Sequence, residues 1–219
     1  MNFRSAKTQE FLRDKSPIYG CAQTYPCPPH MLDQHNEYGF REKREYKTAQ
    51  SIALGCSYTY GAHLNREEAW PWLLEQLIET EVYNFGVGGG GLDTISRLAY
   101  YWVPKIRPKN VLIALKNIGL FEIFWNGSWI KLTPSENGFW EGVDITMKEE
   151  QLFSKENVYI NYYKHVEFIK HICRKYACNL VLIDDDIPKS DHLAADGLHG
   201  GAPWHVKTCD LFYNRLKGK

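Results

Sequence analysis

Three short stretches carry the residue types that do covalent chemistry. Ser57 stands in Gly55-Cys56-Ser57-Tyr58-Thr59-Tyr60-Gly61, directly after the apolar run Ser51-Ile52-Ala53-Leu54. A serine on a tight turn at a strand end is where a nucleophile is exposed, although a serine after a glycine also serves as a helix cap. Asn84-Phe85-Gly86-Val87-Gly88-Gly89-Gly90-Gly91 follows a second apolar run. Without Cβ atoms in the way, its backbone N–H groups can approach an oxyanion or a phosphate. The phosphate reading is weak, because no Lys-Ser/Thr follows the glycines and the spacing misses GxGxxG. Asp196-Gly197-Leu198-His199 sets a carboxylate three residues before an imidazole, so that one turn presents the acid to the ring Nδ1. Taken singly, each is also an ordinary turn; together they supply nucleophile, oxyanion donors and base, the parts of an acyl-transfer site.

These pieces need a scaffold, and the periodicity provides one. The runs at 51–54, 81–85, 110–115 and 179–183 read as buried strands. Between them, a helix is predicted to begin around Trp70 within 67–80, another covers 92–103 and stops at Pro104, and a long amphipathic one covers 157–176. A last helix is predicted over 205–216. Strands alternating with helices imply an α/β, flavodoxin-like three-layer sandwich, with a parallel sheet of about five strands and helices on both faces. Ligands of such sheets bind beyond the carboxyl ends of the strands, where all three stretches fall. Residues 1–50 read as an N-terminal extension packed on a single catalytic domain spanning 51–219. A hairpin inserted near 123–150 carries Trp125, Trp129 and Trp140 around the turn-like Pro134–Gly138; these tryptophans form either a sugar-stacking lip or the hairpin's own small core.

The chain resembles the SGNH (GDSL-like) hydrolases. Gly55–Thr59 is similar to the family's first block with its nucleophile, Asn84–Gly89 to the second with its oxyanion glycine, and Asp196–His199 to the last with acid and base. Asn36-Glu37-Tyr38-Gly39-Phe40-Arg41 also resembles a lead-in found before the first strand in some members. The resemblance implies a serine esterase in which Ser57 attacks, His199 moves the proton and Asp196 orients His199. The oxyanion would be held by the Ser57 and Gly89 N–H groups and the side-chain amide of Asn117, with Asn84 as the competing amide. Two departures stand out. Cys56 replaces the usual aspartate before the serine, and Leu115-Lys116-Asn117-Ile118 replaces the third block's glycine, any residue, asparagine, aspartate.

The remaining residues narrow the partners. Lysine plus arginine and aspartate plus glutamate stand at 26 each, so no net field favours nucleic acid or an anionic membrane. Residues 1–17 lack the apolar core of a secretory signal and no run is long enough to span a bilayer, which predicts a soluble, cytoplasmic protein. Six cysteines without a CxxC pair predict reduced thiols, no metal and no cofactor. Cys56 reads as a buried apolar thiol rather than a second nucleophile, His205 as a cap or packing residue of the last helix, and Arg41 as an anchor to carboxylates or a solvated charge. The substrate expected is a small or carbohydrate ester bearing an acyl, foremost acetyl, group. The competing functions are a non-catalytic binding or assembly module and an O-acyltransferase using the same triad.

Overall fold

The computed structural model describes residues 35–36, 38–42, 44, 49–116, 120–125, 128–132, 154–184 and 192–218. Its centre is a parallel sheet of β1 (Ser51–Gly55), β2 (Val82–Gly86), β3 (Asn110–Ala114) and β6 (Asn179–Ile183) in the order β2-β1-β3-β6, four strands among the described residues. Every residue of β1, β2 and β3 is buried. That is why they read as largely apolar runs: a parallel sheet is covered on both faces, and the polar residues within it, Ser51, Asn84 and Asn110, are buried with hydrogen bonds. β6, at the edge, shows exposure at its first residue.

The pleat sends alternate residues to opposite faces and so defines two cores. Ile52, Leu54, Tyr83, Phe85, Val111 and Ile113 meet α3 (Leu92–Ile106) and α4 (Lys155–Lys175) on one side. Ala53, Val82, Leu112 and Ala114 meet α2 (Trp70–Ile78) and α5 (Ala202–Leu216) on the other, where Trp70 stacks on Phe212 with centroids 4.3 Å apart. The outer two helices on the first face are also joined by His165, which lies 2.8 Å from Ser96 Oγ and 2.9 Å from Asp93. The chain leaves β1 toward β2, then crosses back to β3 on the opposite side. The resulting switch point at the carboxyl ends of β1 and β3 is where an open α/β sheet forms its crevice.

Three helix ends differ from the periodicity reading for a physical reason. α3 continues through Pro104 to Ile106 before Arg107, at φ 50°, ends it. The hydrogen bond that proline forfeits is the one to the carbonyl of Tyr100, an exposed residue whose carbonyl water can serve, while buried Val103 and Ile106 keep the last turn on the sheet. α5 begins at Ala202 rather than His205, with Pro203 in its first turn, where the missing N–H costs nothing. α4 starts at Lys155 because Ser154 caps it, its side chain accepting the Asn157 N–H.

After β3, β4 (Phe121–Trp125) and β5 (Ser128–Leu132) form an antiparallel pair with Trp125 opposite Ser128. The paired strands therefore lie ahead of the Pro134–Gly138 stretch in sequence, where the hairpin's turn is expected from the residue pattern. Pro134–Gly138 and Trp140 lie outside the described residues. So does most of the 1–50 extension, but Phe40 and Arg41 are fully buried, with Phe40 edge-on to Phe85 at 4.7 Å. Among the described residues, no helix is long and apolar enough to cross a membrane.

Candidate active site

Ser57 opens α1 (Ser57–Tyr60), a single turn set across the end of the sheet. Cys56 precedes it in extended conformation, and its carbonyl accepts the N–H groups of Thr59 and Tyr60 at 3.0 Å each. The turn lies hard against the end of β2. A Cβ on Gly86 would sit 2.1 Å from Tyr60 N, so only glycine permits that approach. Asn84 fixes the same contact from below, donating from Nδ2 to the Thr59 carbonyl at 3.0 Å and accepting the Gly86 N–H at 2.8 Å. Its amide oxygen and one of its two N–H groups are thus engaged by backbone.

The carboxyl end of α1 is held by Arg41. Its guanidinium, wholly buried, donates to the carbonyls of Gly61 at 2.8 Å, Leu64 at 2.6 Å and Tyr60 at 3.3 Å. Arg41 is therefore not a solvated charge, and it caps the helix that Ser57 opens. Carbonyls at a helix end carry the partial negative charge that makes a buried cation tolerable. Cys56 is buried too, and burial pushes its thiol up, so it is no thiolate beside the serine.

The histidine arrives on the loop ahead of α5. Ala194 N–H donates to the His199 carbonyl and Gly201 N–H to the His192 carbonyl, both at 2.8 Å, closing the loop on itself. Gly197 turns it at φ 69°, a left-handed conformation with open space where a side chain would go. Asp196 Oδ1 accepts the Leu198 and His199 N–H groups at 3.1 Å, and Oδ2 lies 2.5 Å from His199 Nδ1. His199 Nε2 lies 2.8 Å from Ser57 Oγ. Burial alone would push the Asp196 carboxyl up. The bonds from the His199 ring and the two backbone N–H groups outweigh it and hold the acid well below the usual carboxylate range. An ionised Asp196 assigns the proton to Nδ1 and leaves Nε2 to accept from the serine hydroxyl.

Neighbours brace this loop. Tyr58 donates to the Leu198 carbonyl at 3.1 Å and packs against both His199 and Trp204. His205 accepts the Trp70 N–H on Nδ1 at 3.0 Å, capping the start of α2 rather than its own helix. Burial, with the Arg41 and His199 charges, pushes its imidazole down to about 3 against a hydrogen bond with the Gly200 backbone, so it is neutral. On the other side, neither the Ser57 nor the Gly89 N–H finds an acceptor among the described residues. Asn117, the third expected donor, lies outside the described residues.

His63, which the sequence did not single out, also reaches the site. Its Nε2 lies 3.4 Å from Asp196 Oδ2, and its ring 5.9 Å from that of His199. It stands 133 positions from its carboxylate partner, a pairing that no local spacing rule detects.

No family model matches the chain, and no curated protein matches it. Among solved structures it is similar to a psychrotrophic esterase from Pseudoalteromonas sp., at 15% identity over 77% of this chain and 97% of that one, TM-score 0.44. It is also similar to a catalytic mutant of an acetylxylan esterase from Geobacillus stearothermophilus, at 11% identity over 78% and 95%, TM-score 0.43. A third is the lipase/acylhydrolase from Enterococcus faecalis, at 14% identity over 77% and 96%, TM-score 0.42. The solved structures it resembles are esterases and lipases. The chemistry open to this chain rests on its own residues.

Proposed function

We propose that the chain is an SGNH-type serine esterase that removes acyl, foremost acetyl, groups from a carbohydrate or other small ester. The observation that carries this reading is the unbroken relay from Ser57 Oγ through His199 to Asp196, at 2.8 Å and 2.5 Å. Ser57 Oγ adds to the ester carbonyl carbon while its proton passes to His199 Nε2. The Asp196 carboxylate steadies the resulting imidazolium. The carbonyl oxygen, now negative, is held by the Ser57 and Gly89 N–H groups and the Asn117 amide, each worth about 3 kcal/mol of barrier. Collapse of the tetrahedral adduct breaks the bond to the alcohol oxygen, which takes the proton back from Nε2. Water then enters, gives a proton to Nε2 and attacks the acyl carbon, and the acid leaves as Ser57 recovers its hydrogen.

The preference for a polar, carbohydrate-like alcohol rests on Trp125 and Trp129 lying on β4 and β5, in the hairpin that follows β3. Turnover of aryl acetates tests the reaction. The wild-type chain hydrolyses them and Ser57→Ala does not; equal rates for the two proteins reject the assignment and favour a binding module.

A further inference from the structure

Among the described residues, His63, Asp196 and His199 form a group whose ligand atoms all lie within 4.8 Å of one another. Two imidazoles and a carboxylate are the donor set of zinc-class divalent ions, softer than the all-oxygen sets that magnesium and calcium take. In a tetrahedral zinc site, bonds of about 2.0–2.1 Å set neighbouring ligands roughly 3.3 Å apart. His63 Nε2 and Asp196 Oδ2 already stand at 3.4 Å. The His199 Nδ1 to Asp196 contact, at 2.5 Å, must open by less than about 1 Å, and the two imidazoles must come to the same spacing from within 4.8 Å. His63 is partly exposed, at 37% of its side chain, which leaves an entry path. Its loop is fixed on either side, since Arg41 grips the carbonyls of Gly61 and Leu64.

The geometry points to an inhibitory cation site built on the triad itself, in which His63 Nε2, Asp196 and His199 Nδ1 bind one zinc-class divalent ion. The site stands on its own; its effect on catalysis rests on the esterase reading. A metal on Nδ1 needs the lone pair there, so the single proton of neutral His199 moves to Nε2. Nε2 then faces Ser57 Oγ as a donor and cannot accept the hydroxyl proton. Asp196, coordinated, no longer steadies an imidazolium. The ion and the relay are mutually exclusive states of the same three side chains.

Titration of the 15N-histidine-labelled chain with Zn2+ tests this by NMR of the imidazole nitrogens, which sets the site apart from the cysteines. The His63 and His199 rings are expected to shift together and saturate with one ion. His63→Asn, a residue that tolerates the φ of 60° at this position, weakens that binding on the order of tenfold or more. Ser57→Ala leaves it within about twofold. Rings of His63 and His199 unmoved by Zn2+, or equal affinity in His63→Asn, overturn the site. In parallel, aryl acetate turnover, scaled to each protein's own metal-free rate, is lost at the same Zn2+ midpoint as the NMR change, and that midpoint rises in His63→Asn. A midpoint that does not move overturns the inhibition. A wild-type chain inactive without metal counts against the esterase reading alone, and the NMR arm still decides the site.

Discussion

Replacing Asp196 by asparagine separates the carboxylate's charge from its shape. Oδ1 survives in Asp196→Asn and still accepts the Leu198 and His199 N–H groups, so the loop keeps its turn. The atom facing His199 Nδ1 becomes an N–H donor, which drives the ring to the tautomer with its proton on Nε2. Ser57 then meets a donor where it needs a base. The magnitude follows from the 2.5 Å separation. A unit charge pair at that distance in an effective dielectric near 20 is worth about 7 kcal/mol. Allowing for the partial exposure of both side chains, about 5 kcal/mol of transition-state stabilisation is lost, on the order of 10^4-fold in kcat. KM stays within about threefold, because the lost interaction acts in the transition state and not in substrate binding. Steady-state aryl acetate hydrolysis, with a thermal melt of the same sample, is the assay. A kcat within about tenfold of wild type at unchanged Tm refutes the tautomer argument.

The other expectations concern the scaffold that holds the relay. His205, pushed down to about 3 when folded and titrating near 6.5 when unfolded, binds fewer protons in the native state between those values. Its contribution is complete above pH 6.5 and is lost as pH falls, by about 2–3 kcal/mol at pH 4.5. Melts at pH 7 and 4.5 should show a smaller acid drop in His205→Asn, which keeps an acceptor near Trp70 N–H; an equal drop in both proteins removes His205 as the cause. Gly86→Ala, with its Cβ 2.1 Å from Tyr60 N, should abolish soluble folding or lower Tm severely. Gly197→Ala meets only its φ of 69°, costing about 1–2 kcal/mol; comparable damage from both would show the close packing at β2 to be misjudged. Arg41→Met strips three carbonyls of their donor inside the protein, an expected loss of about 3–5 kcal/mol read by chemical denaturation, and a change under 1 kcal/mol would contradict the capping role.

The alternation of strand and helix is legible because a doubly covered parallel sheet favours short, largely apolar runs, and β1, β2 and β3 supply them. The Asp196-x-x-His199 pair was legible because a single turn brings those side chains together, and Ser57 because it directly follows the first strand. What stayed hidden lies between distant segments. Nothing near Arg41 indicates that its guanidinium is buried against carbonyls some twenty residues on, which is why the sequence leaves a solvated charge open. His205 finds its partner 135 positions earlier at Trp70 N, and His63 reaches Asp196 from the opposite half of the chain. Pro104 reads as a stop because the rule concerns the lost N–H, whereas the exposed setting of Tyr100 makes that loss cheap.

The reactivity of one hydroxyl tests the account most directly. Incubation with a fluorophosphonate followed by peptide mass spectrometry should place a single phosphonyl adduct on Ser57, absent from His199→Ala. An unlabelled Ser57 in the folded wild-type chain, or labelling undiminished in His199→Ala, would contradict the relay.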